Sequence, residues 1–296
     1  MGSSRVIRPM RYYLTFDLGT TALKTALTGE DGSLAGTCRG EYTPSMLAPG
    51  LLEMDPETYW TTAVEGARAV LAHSQVSPKD VTAIGFSSQG QTFVPLDRDG
   101  QPLYYALVWL DNRASSIAEA WQRDWLTREH FRRVSGYTTI PPELSVFKMA
   151  WLREHVLAAR DTWKFLWLPD YLIYRLSGET VTDRVTARMG GLFSLATGQW
   201  DPSLLEAAGV QAEQLPEVRP CGTVAGRLNR PAAEALGLPP GIPVCTGTND
   251  QLAGAIGAGN VRPGIVTETT GTALAVIATT ETLLDDPSLM VGSHAA

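Results

Sequence analysis

Tyr12-Tyr13-Leu14-Thr15-Phe16-Asp17-Leu18-Gly19-Thr20-Thr21-Ala22 decides the reading of this chain. Its first six residues are rich in β-formers and end in an acid, 18–21 is turn-prone, and 22–27 is a second apolar run. β-Branched and aromatic side chains fit a pleated, half-buried surface, while glycine and small polar residues let the backbone reverse. The stretch therefore predicts a strand, a tight turn and a returning strand. Glu30-Asp31-Gly32-Ser33 is a further hairpin signal, so 34–42 reads as the third strand of an antiparallel meander.

The same pattern recurs near the other end. Val266-Thr267-Glu268-Thr269-Thr270-Gly271-Thr272-Ala273-Leu274 can be laid on 14–22, matching Thr267 to Thr15, Gly271 to Gly19 and Thr272 to Thr20. That overlay predicts a duplicated fold whose second copy begins near Gly264. Between the two, 44–50 reads as a loop, and Asp55-Pro56 opens a helix whose apolar spacing runs to about His73. Residues 81–86 form a short strand ending at Ser87-Ser88-Gln89-Gly90-Gln91, and 92–109 a hairpin about Asp97-Arg98-Asp99-Gly100. Helices are expected over 112–125 and 147–159 with a loop at 135–143, a buried helix over 163–176, a strand over 190–195 and a short helix over 232–236. Strands first, then mixed β and α units, indicate an α/β layered domain of roughly 250 residues.

Composition narrows the function. Lys+Arg total 24 against 31 Asp+Glu, a formal charge of −7, which argues against nucleic-acid or anionic-membrane partners because both favour a basic surface. At 44% hydrophobic and 19% charged the chain can bury large cores. No apolar run approaches the ~18 residues of a membrane span, and 1–11 is too basic for a signal peptide, so a cytoplasmic location is expected. Three cysteines without CxxC spacing and four scattered histidines give no disulfide framework or zinc site. Gly36-Thr37-Cys38-Arg39-Gly40 spells a nucleophile elbow, but Cys38 falls in mid-strand, where that motif has no use.

The chemistry concentrates at the turns. Glycine-threonine turns at strand ends suit phosphate binding, because backbone N–H groups and hydroxyls can face anionic oxygens. Neither GxxxxGK[ST] nor a GxGxxG after a strand is present, so a P-loop and a dinucleotide fold are unsupported. Asp17, at a strand end, can hold Mg²⁺ through water beside phosphates or cap its own turn. Asp250, in Gly247-Thr248-Asn249-Asp250-Gln251 before a run of small residues, can be a helix cap or a general base taking a proton from a hydroxyl.

Together these residues resemble the FGGY family of carbohydrate kinases. The resemblance rests on 13–24, on 81–96, on Trp109-Leu110-Asp111-Asn112-Arg113, on 170–200, on 247–259 and on 269–273. It implies an actin-like, ribonuclease H-like ATPase fold: a mixed sheet with flanking helices, a first lobe over 11–257 and a truncated second lobe over 258–296. It implies ATP and Mg²⁺ as cofactors, Asp250 as catalytic base, and Asp17 organising the metal. Gly19, Thr20, Thr21 and Lys24 would meet the transferred phosphate, Gly271 and Thr272 the nucleotide phosphates, and Gln89, Gly90, Gln91, Trp109 and Asp250 the substrate.

Glycerol-type members of that family carry Arg-Glu where Gly90-Gln91 stands, and xylulose-type members Met-His. The expectation is a ketose such as xylulose, with a polyol as the alternative, or for this chain alone a non-catalytic sugar-binding module. A chaperone-like or actin-like nucleotide-driven ATPase is the other reading within the superfamily. Gln89, Gln91 and Trp109 argue against it. The 296-residue chain itself is expected to turn over little ATP, and a homodimer is left open.

Overall fold

The computed structural model describes residues 10–270 and 274–295. β1 (Tyr12–Leu18), β2 (Ala22–Gly29) and β3 (Leu34–Glu41) form the expected meander, with Asp17 opposite Lys24 in the first pair. Cys38 lies within β3. The loop expected over 44–50 is instead mostly strand: β4 (Ser45–Ala48) pairs antiparallel with β5 (Leu51–Met54) across Gly50 at φ 81. β4 is exposed at every position, so it has no alternation by which a sequence could betray it.

α1 (Pro56–His73) starts where proline predicted, the Asp55 carboxylate accepting the Glu57 N–H, and buries Tyr59, Ala63, Ala67 and Val70. β6 (Val81–Ser88) runs parallel to β1, and β7 (Phe93–Leu96) pairs with β8 (Ala106–Leu107). α2 (Ser115–Asp124), α3 (Arg128–Ser135) and α4 (Ser145–His155) follow. The buried helix expected over 163–176 divides in two. Its first part is β9 (Lys164–Trp167), paired with β7, and only α5 (Leu168–Ser177) is helical, with Pro169 in its first turn.

After β10 (Val181–Asp183), α6 (Arg184–Met189) is capped by Asp183, which accepts the Val185 and Thr186 N–H groups. The strand expected over 190–195 is absent. Gly191 at φ 84 ends the helix, and only Phe193 makes a lone bridge, to Trp200. Then come α7 (Pro202–Ala208), β11 (Glu217–Arg219), β12 (Val224–Arg227), α8 (Arg230–Leu236), β13 (Pro243–Cys245), β14 (Thr248–Asn249) and α9 (Asp250–Gly257). β15 (Val266–Thr270) and β16 (Leu274–Ala278) pair antiparallel, as the overlay on β1 and β2 predicts.

A seven-stranded mixed sheet orders these strands β12-β13-β6-β1-β2-β3, with β14 also on β6, and a five-stranded sheet reads β4-β5-β8-β7-β9. Each sheet anchors a core. Leu14, Phe16 and Leu18 pack with Tyr59, Ala67 and Ile173 between the larger sheet and helices α1, α5 and α8. Phe93, Phe165 and Trp167 pack with Phe131 and Phe147 beneath α2, α3 and α4. Each fully buried large side chain contributes about 1.5–3 kcal/mol to holding these sheets and helices together. Among the described residues no helix is long and apolar enough to cross a membrane.

Candidate active site

β1, β6 and β14 run parallel and end together. Asp17 lies beside Ser87 and Ser87 beside Thr248, one residue before Leu18, Ser88 and Asn249 align in the same way. Parallel strands in open α/β sheets present their carboxyl ends to ligands, and the predicted acids collect there. Asp17 Oδ1 accepts from Ser87 Oγ at 2.8 Å and Oδ2 from Lys24 Nζ at 3.0 Å. Asp17 thus does not cap its own turn. The register also brings Lys24 onto the carboxylate, in a half-exposed ion pair worth little by itself.

Asp250 is the first residue of α9, and Asn249 is the cap, accepting from the Gln251 N–H. One Asp250 oxygen accepts from Asn249 Nδ2 at 2.9 Å and from the Gln251 N–H at 2.8 Å. Burial pushes its carboxyl above the usual range and the nearby Asp17 charge adds to that, against the Gln251 N–H, the Asn249 amide and Lys24. A carboxylate so placed is a stronger base than one in water.

The Gly19 turn is locked from two sides. Its carbonyl accepts from Tyr42 Oη at 2.7 Å and from Gln89 Nε2 at 3.1 Å. Thr20 Oγ1 accepts the Trp109 indole N–H at 2.8 Å, while Thr21 is exposed and holds the Tyr42 N–H with its carbonyl. Gly271 and Thr272 lie outside the described residues.

Trp109 is set by its surroundings. Its N–H donates to Thr92 Oγ1 at 2.9 Å, and Lys148 Nζ donates to Val108 O at 2.9 Å just before it. Two residues on, Asp111 and Glu53 flank the Arg113 guanidinium at 2.8 and 2.7 Å, all three side chains at most 5% exposed. Burial works against that guanidinium, and the two carboxylates more than offset it, leaving it more firmly protonated than usual. The Trp-x-Asp-x-Arg segment therefore reads structurally as a clamp that presents an indole.

Gln91 is the only non-glycine at positive φ among the described residues, at 69°. Such a conformation costs of order 1–3 kcal/mol and persists where neighbours over-determine it. Here Ser145 Oγ donates to its carbonyl at 2.9 Å, and its Nε2 donates to the Tyr137 hydroxyl at 3.3 Å. Gly90 lies against Met189. Gln251 Oε1 is buried with no hydrogen-bond partner among the described residues, an acceptor free for a hydroxyl group, whereas the Gln89 side chain lies beside the buried Tyr59 hydroxyl in the core. Tyr137 and Gln251 were not singled out from sequence. Gln251 could have been, as the neighbour of Asp250, whereas Tyr137 sits in a stretch that reads only as loop.

Comparison with known proteins identifies the family. Residues 12–257 match the FGGY family of carbohydrate kinases, N-terminal domain. A glycerol kinase of Thermococcus gammatolerans is 32% identical over 277 residues, covering 91% of this chain and 54% of that protein. The crystal structure of xylulose kinase from Rhodospirillum rubrum superposes with a TM-score of 0.90 at 28% identity, over 96% of this chain and 58% of that one. That of gluconate kinase from Lactobacillus acidophilus gives 0.87 at 25%, over 94% and 56%. The chain belongs to the FGGY family of carbohydrate kinases, and it spans about half the length of the curated relatives it matches.

Proposed function

We propose that this chain supplies the substrate lobe of an ATP-dependent kinase that phosphorylates a hydroxyl of a small neutral polyol or ketose, with Asp250 as the base. The observation that carries the reading is the meeting of Asp17 and Asp250 at the ends of parallel strands, with the partnerless Gln251 oxygen on the residue after Asp250. Asp250 takes the proton from the attacking hydroxyl. Phosphoryl transfer has a loose transition state, so the remaining work is positioning and charge compensation.

Gly19, Thr20, Thr21 and Lys24 lie around Asp17 where a transferred phosphate would be received. An all-oxygen donor set of two carboxylates and Ser87 Oγ fits a hard cation, and no cluster of three or more acidic, His or Cys ligands exists among the described residues. Mg²⁺ here would take its remaining ligands from phosphates and water, and would neutralise charge on the transferred group. The second lobe, which we assign to residues from 258 onward, would bring the nucleotide with Gly271 and Thr272.

Gln89, Gln91, Trp109, Tyr137 and Gln251 offer amides, an indole and a phenol, all uncharged. That favours glycerol-like or ketose substrates over sugar acids, and the relatives carry both kinds of name. The test is a phosphorylation assay with glycerol, D-xylulose and D-gluconate on a protein containing both lobes, beside its Asp250→Asn variant. Loss of turnover with retained substrate binding supports the reading, and unchanged turnover ends it. Because burial raises the Asp250 carboxyl, the acid limb of the rate profile should lie above the ordinary carboxylate range.

A further inference from the structure

Residues 281–295 follow β16 without helix or strand, yet they return to the substrate lobe. Arg132 Nη1 donates to Asp285 Oδ1 at 2.9 Å, the Val291 N–H donates to Gly136 O at 3.0 Å, and Arg188 Nη1 reaches Val291 O at 3.4 Å. The crossing is built for close approach. A Cβ on Gly136, which sits at φ +73, would strike Val291 O, and one on Gly292 would come within 2.9 Å of Arg188 Nε. Larger side chains at either place would force the segment outward.

Arg188 is the buried centre of this crossing. It is 6% exposed, burial presses its pKa down, and no carboxylate among the described residues compensates it. A guanidinium buried without an acid is costly to keep, so the groups that do surround it are informative. Its Nη1 also donates to Ser135 O at 3.1 Å, and its charge lies 5.1 Å over the Tyr137 ring. The Tyr137 hydroxyl in turn accepts from Gln91. A continuous path thus runs from the returning segment through Arg188 and Tyr137 to the strained Gln91.

We infer that Arg188 is a positioning residue: it pins segment 285–292 across the end of α3, and the pinned segment fixes Tyr137 as a wall of the candidate pocket. The effect on substrate rests on the kinase reading, whereas the pinning itself does not. Hydrogen exchange on the 296-residue chain tests the pinning directly, comparing the parent with Arg188→Met and with Gly292→Ala, which presses on Arg188 while leaving it in place. Both variants should exchange about tenfold faster over 289–292 and over 136–137, with the amides of β1 to β3 unchanged. Arg188→Lys, keeping a cation over the ring, should recover part of the protection.

A parent whose Val291 amide exchanges like an unstructured peptide would overturn the pinning. So would Gly292→Ala losing protection at 289–292 while 136–137 stays protected. Calorimetric titration with glycerol and with D-xylulose then separates the two readings. Severalfold weaker binding in both variants supports the positioning role, and unchanged binding in a variant that has lost the strap overturns it. A parent that binds neither compound counts against the kinase reading while leaving the exchange result standing.

Discussion

Lys148 lies on α4 with no exposed surface, its ammonium donating to the Val108 and Trp109 carbonyls at 2.9 and 3.4 Å. Burial pushes its pKa from the ordinary 10.5 down to about 7, with Asp111 and Glu143 opposing. Between those values the unfolded chain binds more protons than the folded one, so stability rises with pH across the window and is flat below it. At about 1.4 kcal/mol per pH unit, the window is worth about 5 kcal/mol.

Lys148→Met removes this dependence and takes the lysine donor from the Trp109 carbonyl, at about 1–3 kcal/mol, while Val108 O keeps the Asp111 N–H at 2.9 Å. At pH 6 relief of the buried charge outweighs that loss, and the variant should be the more stable chain. At pH 10 only the loss remains, and the variant should be less stable by about 1–3 kcal/mol. Urea unfolding of both chains at pH 6, 8 and 10, followed by tryptophan fluorescence under reducing conditions, measures the difference while other titrations cancel. The stability difference between the two chains must shift by about 4 kcal/mol in the parent's favour from pH 6 to pH 10. Parallel stability curves would refute the buried ammonium.

Asp170 is 1% exposed, its Oδ2 lacks a partner among the described residues, and burial followed by the Asp183 charge holds its carboxyl well above the usual range. The folded chain therefore holds this proton more tightly, and stability falls as pH rises past the ordinary carboxylate value. Asp170→Asn should gain on the parent by up to about 1.4 kcal/mol per pH unit above pH 4 in thermal melts, and a pH-independent gap would contradict this. Arg113→Met strands Asp111 and Glu53 as buried charges and should cost about 3–5 kcal/mol at pH 7; a loss below 1 kcal/mol by urea titration would show the clamp to be weak. Gln91→Gly should raise stability by about 1 kcal/mol by relieving the left-handed backbone while weakening ligand binding in calorimetry, and a lower melting temperature would deny the strain.

What the sequence disclosed was local. The Asp55 cap, the meander and the start of α9 at Asp250 depend on neighbours a few residues away, and each stands where its signal predicted. β9 escaped because 163–176 is dominated by apolar residues, and periodicity cannot tell a buried strand from a buried helix there. Residues 190–195 read as a strand for their apolar content, while Gly191 at φ 84 turns the backbone out of extended geometry. The acids were legible because they sit at strand ends beside turns. Tyr137 was not, since its place beside Gln91 is created by α3 and α4 folding over the smaller sheet.

The two hydrophobic cores divide the labour of evolution as well as of folding. Asp17 is fixed by β1 in the first core, whereas Tyr137, and through Ser145 also Gln91, are held by the second. Substitutions that repack the second core can shift Tyr137 and Gln91 while the strand ends carrying Asp17 and Asp250 keep their spacing. On the proposed reading, a lineage built on this lobe could therefore change its substrate by drift beneath α3 and α4 while the two acids stay in place.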